Sequence, residues 1–173
     1  MTDRFSRSLV FRTGLTFAAI VLLALVSIVA SVVVADHMEG DAGAINVAGS
    51  LRMQAFRIGL LIDRPGTEVA MAVADFESRL GSAGLAQTVD AAGDAHLAQA
   101  WQRLQARWRD DMKPLLSTNP VKRDEYLARV NDFVVDVDNF VRLLQYASEE
   151  KIRTLRVVQG LTMFLTLALV FAA

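Results

Sequence analysis

The chain has no cysteine. Disulfides, thiolate catalysis and cysteine-held zinc or iron–sulfur centres are therefore excluded. Histidine is almost as scarce. His37 and His96 stand far apart, and neither belongs to an acid-x-x-His pair of the kind that loads a metal or haem bundle. No metal and no cofactor is expected. A glycine-rich nucleotide loop and a phosphoacceptor-histidine context are also missing, so no catalytic residue is expected in these 173 residues. Only three prolines and ten glycines interrupt a sequence rich in Ala, Leu, Arg and Gln, a balance that favours long helices. The formal net charge of −1 gives no global pull toward nucleic acid.

What is plentiful is apolar, and it is unevenly placed. Leu15 to Ala35, "LTFAAIVLLALVSIVASVVVA", runs 21 residues without a charge. That is enough to cross a bilayer core of roughly 30 Å. It is too long for a cleaved signal peptide and lacks a clear Ala-x-Ala site. A second run, "VVQGLTMFLTLALVFAA", spans the last 17 residues from Val157. Arg4, Arg7 and Arg12 precede the first run, and Asp36, Glu39 and Asp41 follow it. Positive-inside logic puts the N-terminus in the cytoplasm; Lys151, Arg153 and Arg156 point weakly the other way, from a segment too long for the rule to count fully. The expected division is a cytoplasmic 1–13, a transmembrane helix over 14–35, an extracytoplasmic 36–155 and a second transmembrane helix over 156–173. Such a chain reads as the input half of a larger protein.

Punctuation divides the outer segment into four helices. The first leaves the membrane and ends near "DRPG", Asp63 to Gly66, a turn signal. Thr67 can cap the second, "TEVAMAVADFESRL", with Glu68 in its first turn. Residues 81–94, with three glycines, read as a loop or frayed helix. Ala95 to Met112 reads as a third helix with Leu97, Trp101, Leu104 and Trp108 on one face, ended by Pro114. Asn119 and Pro120 suit the start of a fourth. There Tyr126, Val130, Phe133, Val137, Phe140 and Leu144 form a heptad seam, and Asp138 and Arg142 stand at i,i+4. The fold class is all-α: an antiparallel four-helix bundle whose first and last helices continue into the two transmembrane helices.

One residue does not fit a plain core. In "INVAGSLRMQAF" the first helix carries an arginine among apolar neighbours. Ile45, Gly49, Arg52, Phe56 and Gly59 form one stripe, and Ala48, Leu51, Ala55, Ile58 and Ile62 form another beside it. Two adjacent stripes need two partners: the rest of the bundle, and the same helix of a second chain across a two-fold axis. Two guanidinium groups brought together there need a compensating charge. A small planar anion would suit their flat forks of donors. The competing expectation is that Arg52 pairs with an acid of another helix, such as Asp136 or Asp138, or reaches out to water.

The string "INVAGSLRMQAFRIGLL" resembles the signature of nitrate/nitrite sensor histidine kinases of the NarX and NarQ group, "IN.AGSLRMQSYRL", departing at Ala55 and Phe56. "FVVDVDNFVRLLQYASEEKIRTLRVVQ" resembles their second signature less specifically. The resemblance implies a homodimeric periplasmic bundle, in a two-pass protein of the bacterial inner membrane, with one nitrate on the dimer axis. Arg52 matches the arginine that contacts the anion from both subunits, left free of an acid, and Gly49 the glycine whose backbone approaches it. Ile45, Asn46, Ser50, Met53 and Gln54 match positions that support the site; Ile45, Gly49, Phe56 and Gly59 would form the dimer seam. The partners implied are nitrate or nitrite, a second copy, a cytoplasmic kinase output and a response regulator through it. The segment also resembles the sensor region of PilJ-type chemoreceptors, which leaves a chemoreceptor output open. A passive membrane dimerisation module is the structural alternative.

Overall fold

The structure is a computed structural model; it describes residues 2–64, 66–118 and 121–172, without the side chains of 2–13, 34, 36–38, 169 and 172. The expected Asn119 cap and Pro120 therefore lie outside the described residues, as do the side chains of Arg4, Arg7, Arg12, Asp36 and His37. The elements are α1 (Thr2–Leu61), α2 (Gly66–Leu80), α3 (Ala83–Ala92), α4 (Ala95–Arg107), a π turn (Trp108–Met112), α5 (Lys113–Leu116) and α6 (Arg123–Ala172). Among the described residues the fold is all-helical.

The chain divides into two units: residues 1–38 with 150–173, and residues 39–149. The first contains Gly14–Val33, 20 helical residues of mean hydropathy 2.7, long and apolar enough to cross a membrane. Its exposed apolar side chains include Leu22, Val26 and Val29 on α1, and Leu161, Phe164 and Phe171 on α6. Gln159 Nε2 donates to Ser31 Oγ at 3.0 Å, and Ser31 Oγ donates to the Ser27 carbonyl at 2.9 Å. Thr162 and Thr166 return their hydroxyls to the carbonyls of Val158 and Thr162. These four polar side chains thus find acceptors within the helices, as a dry setting requires.

The second unit is built on the two periodicities. On α1, Ala48, Leu51, Ala55 and Ile58 are fully buried, and Ile62, just past its end, is nearly so. On α6 the whole heptad seam from Tyr126 to Leu144 is buried. Gly59 faces Leu127 while Arg52 faces Asp138, so the two helices run antiparallel. Tyr126 ties them with a buried hydrogen bond from its hydroxyl to the Ala55 carbonyl at 2.9 Å. Burial pushes the pKa of that phenol well above its ordinary value, which keeps it a neutral donor. At the centre, Phe76, Trp108 and Phe133 meet, with ring centroids 4.1 Å apart for the first two and about 6 Å to Phe133.

Three local expectations are corrected. Residues 81–94 are not a loop: α3 forms there because Leu85, Thr88 and Val89 find cover in the core. Gly93 at φ 64 then closes it, donating to the Asp90 carbonyl, a left-handed position that glycine takes without steric cost. Asp94 starts α4 by accepting from the His96 and Leu97 amides. The third helix does not run unbroken to Met112; it widens into the π turn, with the Lys113 amide bonded to the Trp108 carbonyl. Pro114 consequently sits in the first turn of α5 instead of ending a helix. Thr67 lies inside the first turn of α2, which begins at Gly66.

The π turn lets Trp108 reach Glu77. Trp108 Nε1 donates to Glu77 Oε1 at 3.0 Å, and Lys113 Nζ lies 2.7 Å from the same oxygen. Desolvation alone would raise the Glu77 pKa; the Lys113 and Trp108 hydrogen bonds and the Lys113 charge outweigh it and hold it below 4.5. A depressed carboxylate contributes stability above its unfolded pKa and loses it as pH falls through the folded value. Urea midpoints should therefore fall more steeply for the native protein than for Glu77→Gln as the pH drops below 4.5. Parallel curves would remove Glu77 from the account.

Candidate functional site

The part of α1 in the second unit presents two different faces. Ala48, Leu51, Ala55 and Ile58 point into the core, and alanine at two of these four positions lets α1 lie close to its neighbours. The opposite face is open. Asn46, Gly49, Met53, Phe56 and Leu60 recur at spacings of three and four, and Met53, Phe56 and Leu60 are 64%, 41% and 77% exposed. Three large apolar side chains thus stand in water along one stripe, with Arg52 beside them.

Arg52 is fixed from two sides. Its Nε donates to the Gly49 carbonyl one turn earlier at 3.2 Å. Its Nη1 donates to Asp138 Oδ1 of α6 at 2.8 Å, with the two side chains 47% and 48% exposed. The arginine expected to be free of an acid is therefore paired, with one of the two acids the competing expectation named. Asp138 in turn is not paired with Arg142, whose Nη2 donates to Asn139. Asp136, the other acid named, is taken by Arg107 of α4. Nη2 of Arg52 has no partner among the described residues, and it lies 3.4 Å from where a Cβ at position 49 would stand. Glycine there leaves that edge of the guanidinium uncovered.

The remaining candidates separate. Ile45 is half-buried against the core and Asn46 is exposed. Met53 and Phe56 lie on the open stripe. Ser50 turns toward α2: its hydroxyl donates to the Val47 carbonyl, and Arg79 Nη1 reaches it at 3.4 Å. Gln54 is buried, 3% exposed, with Oε1 unpartnered, so it is not on the open face with Arg52. Gly59 is not on that face either; a Cβ there would come within 2.9 Å of Leu127 Cδ2 of the same chain. The open stripe ends on Leu60. Asp138 is the site residue whose place at Arg52 the periodicity of α6 left undecided between an intrahelical and an interhelical partner.

The family described as "Type IV pili methyl-accepting chemotaxis transducer N-term" (PilJ) matches residues 33–133. The nitrate/nitrite sensor protein NarX of Escherichia coli strain K12 is 33% identical over 135 residues, which are 78% of this chain and 22% of NarX. The sensor protein NarQ homolog of Haemophilus influenzae is 30% identical over 141 residues, 81% of this chain and 24% of that protein. The chain thus spans less than a quarter of the length of these curated relatives. Among solved structures, the crystal structure of the E. coli histidine kinase NarX sensor domain in complex with nitrate is similar, with a TM-score of 0.57 and 30% identity. That match covers 66% of this chain and 96% of the NarX domain.

Proposed function

We propose, from the premise that this chain belongs to the PilJ-type family of N-terminal domains and is similar to the NarX sensor domain, that it is the signal-input domain of a membrane-spanning nitrate or nitrite sensor. The observation that carries this reading is Arg52 standing beside the open apolar stripe of Met53, Phe56 and Leu60. Exposed heptad-spaced apolar residues call for a second helix, and the same stripe of a second copy is self-complementary. Two copies would bring two Arg52 guanidiniums toward one axis. A planar monoanion between them accepts hydrogen bonds from both forks. Gly49 leaves room for it.

In this reading residues 36–155 form a periplasmic four-helix bundle. Gly14–Val33 and the apolar end of α6 both cross the inner membrane, and the Gln159–Ser31 hydrogen bond pairs them there. α1 and α6 are each unbroken helices, so displacement at the outer end has a stiff path inward. Without the anion each Arg52 is held by Asp138 of its own chain; with it, one packing is favoured, and interfaces of this kind switch between discrete arrangements. The PilJ match favours a chemoreceptor output as a second reading, with a kinase output the first; both share this input chemistry.

Nitrate should raise the melting temperature of the full chain in detergent, while the same concentration of chloride does not. Phe56→Cys should crosslink between chains in membranes, and the buried Ala55→Cys should not. No nitrate-dependent shift, or crosslinks strongest at position 55, would contradict the reading.

A further inference from the structure

Arg52 and Asp138 form an ion pair across two helices, and its setting bears on how an anion could bind. Both side chains are about half exposed. Asp138 has no second cation among the described residues, since Arg142 donates to Asn139. The pair is electrically neutral, so an arriving anion meets a guanidinium whose charge is already matched. Residues 36–155 carry 14 basic and 18 acidic side chains, so the wider field does not draw an anion in. In the proposed site the attraction comes from Arg52, against Asp138.

We propose that Asp138 is the resident counter-ion of Arg52, displaced by the incoming anion, and that it thereby sets the anion concentration at which the site fills. The inference rests on Arg52 being the anion-binding residue. An exposed pair of this kind contributes little, and is weak enough for a dissolved anion to exchange with the carboxylate. A buried pair would resist exchange, because parting it strands a charge away from water. The exchange also changes what joins the helices. With Asp138 in place, Arg52 bonds α1 to α6 at this level; with the anion in place, that bond is gone. Occupancy is thereby coupled to the α1–α6 contact within one chain, independently of the second copy. Asp138 acts through Arg52 and is a positioning residue.

The test is calorimetric titration of nitrate into the full chain in detergent micelles, for the native protein, Asp138→Asn, Asp138→Glu and Arg52→Ala. Asp138→Asn keeps the shape and removes the charge, and should tighten nitrate binding about three- to fivefold, the fold-change equivalent of ~0.6–1 kcal/mol. Asp138→Glu restores a carboxylate and should return the affinity to within about twofold of native. A structural role alone would lower the melting temperature of both variants without this charge-specific reversal. Unchanged or weaker nitrate binding in Asp138→Asn, with binding still lost in Arg52→Ala, would overturn the counter-ion role and leave the sensor reading standing. Absence of nitrate binding in the native chain would overturn the sensor reading and this inference with it.

Discussion

Replacing Arg52 with alanine should reduce nitrate binding at least a hundredfold, to below what calorimetry resolves. The guanidinium stands beside the open stripe, and on a two-fold axis each substitution removes two of them. Hydrogen bonds to charged groups contribute about 1.5–3 kcal/mol each, so losing one from each chain exceeds the hundredfold mark. Arg52→Lys should retain some binding and lose most of it. An ammonium keeps the charge, but it cannot hold the Gly49 carbonyl with one nitrogen while presenting a planar fork with the others. Fold stability should barely change in either variant. Arg52 is half exposed, and its ion pair with Asp138 lies in water, where such pairs contribute little. Near-native affinity in Arg52→Ala, measured by titration calorimetry, would remove Arg52 from the site.

Phe133→Ala should cost about 3–5 kcal/mol of stability, a large part of the 5–15 kcal/mol that holds an ordinary domain together. Phe133 is fully buried and touches both Phe76 and Trp108, so its ring joins α6 to α2 and to the π turn. Alanine would leave a cavity where three aromatic rings now meet, and helix backbones relax into such a space only in part. Trp108 reports the event directly, since its fluorescence follows the packing around it. Urea titration of the full chain in detergent should show a much lower midpoint for Phe133→Ala. Val135→Ala, two residues on and 55% exposed, should hardly move. Equal shifts for the two would mean that the aromatic cluster is not where the stability resides.

The α6 seam was legible because its apolar residues repeat at three and four without interruption, and a helix with that pattern has one way to turn. The core stripe of α1 was legible for the same reason. The open stripe was read slightly out of place. Gly59 lies four residues after Ala55 and three before Ile62, which already sets it beside the buried face, yet its small side chain invited a place at a helix contact between chains. Gln54, three after Leu51 and four before Ile58, carries the same signal, against the site role implied by its match to the family signature. Residues 81–94 leave loop and frayed helix both open in sequence because three glycines weigh against a helix locally, whereas burial of Leu85 and Val89 decides for the helix once the core is present. The π turn has no signature in spacing, and its contact from Trp108 to Glu77 joins residues 31 apart in the chain. The partner of Arg52 could not be chosen from sequence either: Asp138 faces an arginine on its own helix and one on α1, and only the α1–α6 register selects between them.

The most direct test of the account is the stoichiometry of nitrate binding to the full chain in detergent, by calorimetry at protein concentrations well above the dissociation constant. A site completed by two copies of Arg52 on one axis predicts one anion bound for every two chains, with the complex sedimenting as a dimer. One anion per chain on a monomer, or no saturable binding at all, would contradict it.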